Sequence, residues 1–305
     1  MGVPPAATAP LGRWASRPSQ TSHYRHREHC GAVFAEEETA TQEVGSQIVG
    51  FQHASFAEQA YYMTGSGFMT IAGDAESYSV QSLVPVLPED AVDPLADGDA
   101  VIQLLTPEGE IHISDFIYYL VPGSKKTGFE GAGWYTKSGT TYTKSTKVFT
   151  RNEGFIYSSP YACDEDDNDL PTSLRSSGEV KIVAKTLSFG EQAYYALANT
   201  RPIDMSVQKL VPTLPEDAVD PLADGDAVIQ VLTPEGEIHI ADFIYYLVPG
   251  SKKTGFEGAG WYTKSGTTYT KATKVFKPGE GFIYSSPYAC DEDDNDLPTY
   301  LTFEE

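Results

Sequence analysis

"GDAVIQLLTPEGEIHISDFIYYL" fills residues 98–120, and "GDAVIQVLTPEGEIHIADFIYYL" fills residues 225–247. In each copy, two runs rich in Val, Ile, Phe and Tyr suit pleated strands. Between them "TPEGE" supplies the turn. Pro107 has the fixed φ wanted at the second position of a type I turn, and Gly109 tolerates the left-handed position that follows. The stretch predicts a β-hairpin, made twice.

The repetition reaches well beyond the hairpin. Residues 83–172 align without a gap to residues 210–299, and seven of 90 positions differ. Ahead of each copy lies a more diverged segment, in which "SFAEQAYY" at 55–62 answers "SFGEQAYY" at 188–195 and "YSVQSLVP" at 78–85 answers "MSVQKLVP" at 205–212. A duplication of this size is the first fact about the architecture. It divides the chain into a basic tail at 1–42, a first repeat at 43–174 and a second at 175–305. The joint "PTSLRSSGEV" is short and polar, which predicts two beads in nearly fixed relation.

The exchanges between copies respect local physics. "TRNEGF" at 150–155 becomes "KPGEGF" at 277–282, so Asn152, the non-glycine residue most tolerant of positive φ, stands where Gly279 does. "GWYTK" and "TTYTK" bracket a turn at Ser138 and Gly139, and "EGFIYSS" makes a last alternating strand. "LPEDAVDPLADGD" is too broken by Pro and Gly for a helix and predicts a long connection. Each repeat offers about seven to nine short strands. The expected fold class is all-β, as two tandem, near-identical β-sandwich or small β-barrel domains.

The chain has 305 residues, 40% of them hydrophobic, enough for a sizeable core. Its formal charge is −22, but the first 35 residues set four arginines against one glutamate, so the rest carries −25. So acidic a body argues against nucleic acid and anionic lipid as partners. No apolar run is long enough to span a bilayer. The three cysteines, Cys30, Cys163 and Cys290, fall one to the tail and one to each repeat, which excludes a disulfide inside a repeat. They read as thiols at strand ends, or as a bridge between Cys163 and Cys290 or between chains. His23, His26 and His29 beside Cys30 have metal-like spacing but sit in a polar tail. The opening residues lack the apolar core of a signal peptide, although Val33 and Ala35 would suit the positions before a cleavage site.

The order of Gly98, Asp99, Ile102 and Gln103, then Gly133 and Trp134, then Gly154 and Phe155 resembles the repeat of uncharacterised secreted β-rich proteins from planctomycete and verrucomicrobia-type bacteria. The second copy matches through Gly225, Asp226, Ile229, Gln230, Gly260, Trp261, Pro278, Gly279, Gly281 and Phe282. The resemblance covers most of residues 43–301 and implies an extracellular or cell-surface β module with no catalytic residues to carry over. The chain departs from that pattern in its long acidic loop and in having no recognisable signal peptide.

That loop, "YACDEDDNDLP", occurs at 161–171 and 288–298. Asp164, Asp166 and Asn168, with Asp291, Asp293 and Asn295, fall at positions 1, 3 and 5 of a calcium loop, but the template's Gly and terminal Glu are missing. A weak calcium site and a solvated, partner-facing loop both remain open, and no other cofactor is expected. "PGSKKTGFEGAG" at 122–133 lacks the spacing of a phosphate loop and reads as a basic hairpin loop.

Lysines and acids are segregated into different loops. Lys125, Lys126, Lys252 and Lys253, set against Asp167, Asp169, Asp294 and Asp296, therefore form the expected assembly interface. No nucleophile motif accompanies His112 or His239, so the chain is not expected to be an enzyme. The reading is an extracellular structural protein that polymerises with itself as a fibre or surface-layer subunit, its modules packing head to tail. The alternative is a carbohydrate-binding surface adhesin using Trp134, Tyr135, Trp261 and Tyr262 as a glycan platform.

Overall fold

The computed structural model describes residues 49–304 apart from 58, 70–75, 113–114, 121–130, 181–183, 239–241, 248–254 and 256. The first repeat contains strands β1 (Val49–Phe56), β2 (Tyr61–Thr64), β3 (Phe68–Met69), β4 (Ser77–Ser79), β5 (Val84–Val86) and β6 (Val101–Gln103). It continues with β7 (Phe116–Tyr119), β8 (Gly133–Ser138), β9 (Thr141–Lys144), β10 (Val148–Thr150), β11 (Phe155–Ser158) and β12 (Thr172–Val180). The second contains β13 (Lys185–Phe189), β14 (Tyr194–Ala198), β15 (Met205–Ser206), β16 (Leu210–Thr213), β17 (Val228–Gln230) and β18 (Phe243–Tyr246). Its remaining strands are β19 (Gly260–Ser265), β20 (Thr268–Lys271), β21 (Val275–Phe276), β22 (Gly281–Ser285) and β23 (Thr299–Phe303).

The protein is all-β, as expected. Its strands outnumber the seven to nine anticipated per repeat because Pro, Gly and bends cut the ribbons into two- and three-residue pieces. No helix among the described residues is long and apolar enough to cross a membrane.

Each repeat is built around a six-stranded antiparallel sheet, in the order β2-β11-β6-β7-β8-β9 in the first and β14-β22-β17-β18-β19-β20 in the second. A smaller sheet, β12 with β1, β3 and β5 or β13-β23-β16, contributes to the same core. Phe56, Met69 and Leu174 from the small sheet meet Ile102, Tyr118, Trp134, Phe155 and Tyr157 from the large one. The hairpin turn forms as read: Gly109 has φ 84° and its N–H donates to Thr106 O at 2.9 Å. Asn152 and Gly279 share positive φ, 66° and 79°, so the same turn survives the exchange. Residues 87–100 carry no strand and make the long connection.

The joint between repeats is where the sequence reading needs correction. Residues 172–180 form β12, a nine-residue strand that pairs with β1 along one side and with β3 and β5 along the other. Its inward positions, Thr172, Leu174, Ser176 and Gly178, alternate faithfully, but three of them are small or polar, so the period was masked. A boundary at 174/175 falls inside this strand, and both repeats belong to one compact unit rather than to two beads.

One side chain organises each core. Gln81 Nε2 donates to Trp134 O (2.8 Å) and Ser145 O (2.9 Å), and its Oε1 accepts from Trp134 N (3.1 Å). Trp134 Nε1 donates to Leu83 O at 2.7 Å. The pattern recurs through Gln208, Trp261, Ala272 and Leu210. Gly133 precedes the Trp because a Cβ there would strike Gln81 Oε1. Gln81→Leu keeps the volume but strands Trp134 N and Ser145 O, while Trp134 O keeps its bond from Ser145 N, so unfolding in urea should show a loss of about 2–4 kcal/mol. A loss below about 0.5 kcal/mol would show that the clamp is idle.

Candidate functional site

β2 and β14 are edge strands of their large sheets, and an uncovered edge presents unpaired N–H and C=O groups to solvent or to another chain. Here each repeat covers the edge of the other. Along β14, Tyr194 N donates to Pro107 O (3.0 Å), Gly154 N donates to Ala196 O (2.8 Å) and Ala198 N donates to Asn152 O (2.9 Å). Along β2, Tyr61 N donates to Pro234 O (3.0 Å) and Gly65 N donates to Gly279 O (2.9 Å). The bridges Thr64↔Glu280 and Glu153↔Leu197 complete the exchange. Because Pro107 corresponds to Pro234, and Tyr61 to Tyr194, the contact is reciprocal, the signature of an isologous interface. The repeats of one chain therefore do not pack head to tail.

Met63, Ile156, Leu232 and Ile283 are buried between the repeats, two from each, with Leu105, Ile111, Tyr194, Ala196 and Ile238 packed around them. Burying such aliphatic side chains contributes about 1.5–3 kcal/mol each. Two glycines are fixed by the closeness of approach. A Cβ on Gly154 would lie 2.7 Å from Leu197 O, and one on Gly281 would lie 2.5 Å from Met63 Cγ.

The interface departs from symmetry where Met63 stands in place of Ala196 and where Thr64 Oγ1 donates to Gly279 O and Asn152 Nδ2 to Ala198 O without counterparts, and a charged group adds a further departure. Glu76 Oε1 lies 2.8 Å from Arg151 Nη1, and Glu76 Oε2 lies 2.5 Å from Lys185 Nζ. Arg151 is 2% exposed and Lys185 12%, so this triad joins the repeats largely out of water. Burial, the largest single effect, raises the Glu76 pKa, but the Lys185 hydrogen bond and the Arg151 charge outweigh it and the net shift is downward. Three of the seven exchanges, at 150–152, fall at this spot.

The acidic loop closes on itself. Asp164 Oδ1 accepts from the N–H groups of Asp166 and Asn168, both at 2.9 Å, and both Asp164 oxygens accept from Asn168 Nδ2. Asp291 repeats the arrangement with Asp293 and Asn295. The Asn side chain, ahead of the backbone donors, holds each of these carboxyls below the usual range. The spacing expected for calcium thus builds an Asx-type turn, which uses Asp164 and Asp291 within the loop. Among the described residues no group of three His, Cys, Asp or Glu side chains is placed to hold a metal ion.

Asp167, Asp169, Asp294 and Asp296 are exposed. Val92 N donates to Cys163 O at 2.9 Å, laying the acidic connection at 87–99 beside the acidic loop. Lys125, Lys126, Lys252 and Lys253 lie outside the described residues, as do His239 and the tail residues His23, His26, His29 and Cys30. Cys163 and Cys290 are free and half-buried. The Tyr288 hydroxyl is pushed up to about 12, chiefly by its hydrogen bond with Cys290.

The aromatic platform is a correction. Trp134, Tyr135, Trp261 and Tyr262 are all 0% exposed, because their apolar area serves the cores between and beside the sheets. No sugar ring can reach them. His112 Nδ1 lies 2.9 Å from Asp115 Oδ1, but Asp115 Oδ2 also accepts from Leu104 N, so this pair braces the hairpin. A hollow of about 520 Å³ beside residues 212–222 is lined by prolines and aliphatic residues with Thr213, Glu216 and Asp220. No family model, curated protein or solved structure matches the chain.

Sequence reasoning missed the interface residues Tyr61, Met63, Tyr194 and Ile283. The available signal was the glycine of "NEGF" and the second glycine of "PGEGF", which no turn requires. Gly154→Ala should lower stability by about 1–3 kcal/mol through overpacking, whereas Gly190→Ala, with nothing near its Cβ, should change little in thermal unfolding.

Because the folded pKa of Glu76 is depressed, its contribution is present above the unfolded value of 4.5 and is lost as pH falls through the lower folded value. Partial exposure moderates the cost of breaking a buried pair, so Glu76→Gln should cost about 1–3 kcal/mol at pH 7. The wild-type advantage should shrink below about pH 4.5 in urea titrations at each pH.

Proposed function

We propose that the chain is a non-enzymatic extracellular structural protein, a self-assembling subunit of a fibre or surface layer. The observation that carries this reading is that each β module presents a face that closes on another copy of the same module, through reciprocal backbone bonds and a shared apolar cluster. The residues singled out by the repeat motif support it. Gly98 supports a turn at φ 96°, Gln103 Nε2 holds His112 O, Gly133 accommodates Gln81, Trp134 fills the core and Gly154 admits the second repeat. All of them serve the fold. The likeness of this motif to secreted β-rich repeat proteins supports an extracellular setting.

Between chains, the exposed carboxylates of the two acidic loops form one half of a charge-complementary contact, and the loop lysines 125, 126, 252 and 253 form the other. Such a contact is weakened by salt, because surface charges are screened beyond roughly 8–10 Å at physiological ionic strength. Negative-stain microscopy of the full chain, across protein and salt concentration, should show ordered polymers at low salt that shorten as salt rises. Monodisperse particles under every condition would sink the proposal.

A further inference from the structure

The backbone bonds between the repeats are nearly the same from either side, but the side chains around them are not: Met63, Thr64 and Gly65 stand where the second repeat has Ala196, Leu197 and Ala198. The backbone edges alone would let a first repeat seat on a first repeat, or a second on a second. The triad adds a charged asymmetry to the apolar one. Glu76 and Arg151 come from the first repeat and Lys185 from the second. At the 127-residue shift of the duplication, Glu76 corresponds to Ile203 and Arg151 to Pro278. Gln52 pairs with Ser176 as Lys185 pairs with Phe303, so Gln52 is the register counterpart of Lys185.

We propose that Glu76, Arg151 and Lys185 are a pairing code that directs a first repeat onto a second repeat, both within one chain and between two copies. Two first repeats would place Gln52 where Lys185 belongs and leave Glu76 with one cation fewer. Two second repeats would place Lys185 against Ile203 and Pro278, beside Asp204, which is already paired with Lys277. A charge enclosed without its partner is strongly unfavourable, so these contacts favour one polarity of pairing. Between chains, the second repeat of one copy then receives the first repeat of the next. That pairing yields a closed exchanged pair or an open row. This inter-chain half rests on the reading of the protein as self-assembling.

The test uses the full chain. Ordinary and heavy-isotope-labelled copies are unfolded, mixed in equal amounts and refolded together, at micromolar concentration and at about 1 mM, where inter-chain contact rivals the effective concentration set by the covalent link. A carbodiimide then couples Glu76 to Lys185, whose carboxylate and ammonium lie 2.5 Å apart. Mixed-isotope Glu76–Lys185 peptides should appear at the higher concentration and vanish at the lower.

Photoreactive cross-linking should give few mixed-isotope products joining two first repeats. Their ratio to first-second products should rise about tenfold, the equivalent of ~1.4 kcal/mol, in Glu76→Ile/Arg151→Pro. The milder Lys185→Gln should move the ratio the same way. Equal frequencies of the two kinds in the wild type, or a ratio unchanged in both variants, would overturn the code. Polymers that form with only same-isotope coupling would overturn the inter-chain half and leave the structural reading standing. Mixed coupling without polymers would uphold the code and remove the fibre.

Discussion

An exposed sheet edge must be covered, and in this protein the cover comes from the other repeat. The outward-facing groups of β14 at residues 194, 196 and 198 are taken up by Pro107, Gly154 and Asn152. Much else follows from that requirement. The turns at 106–109 and 150–153 must project far enough to reach a neighbour, Gly154 and Gly281 must have no side chain, and Tyr61 and Tyr194 must lie over the hairpin glycines Gly236 and Gly109. A stack of aliphatic residues then excludes water from the exchanged hydrogen bonds, in a setting where losing one would be most costly.

Two kinds of force divide the labour at this contact. The apolar cluster supplies most of the attraction, and its two halves differ in shape, with Met63 where the second repeat has Ala196. The buried ion triad adds less net energy, because removing Arg151 and Lys185 from water offsets much of the attraction to Glu76. Its geometry nevertheless exists in only one pairing. The triad therefore adds charge to a specificity that the shape of the cluster carries in part.

The turns were legible in the sequence because turn chemistry is local. Pro107 with Gly109, and Asn152 with Gly279, declare their backbone conformations wherever the chain goes. β12 was hidden because Thr172, Ser176 and Gly178 face inward as small or polar residues, and only their neighbours β1, β3 and β5 make a strand of them. The aromatic residues were misread for a related reason. Strand spacing places Trp134 and Tyr135 on opposite faces of a sheet, and it does not reveal that both faces are covered. The acidic loop had the spacing of a cation site, but Asp164 satisfies the loop's own amides.

By itself, the sequence determined the all-β class, the duplication, the hairpins and the turn conserved through the exchange at 150–152, since these depend on periodicity, propensity and φ preferences within a few residues. Only the tertiary structure decided that the repeats are reciprocal halves of one unit, that Gly154 and Gly281 answer to a neighbour rather than to a turn, and that Glu76, Arg151 and Lys185 meet. Glu76 and Lys185 stand 109 positions apart. No local rule couples residues at that separation, and their contact exists because two sheet edges required the same partner.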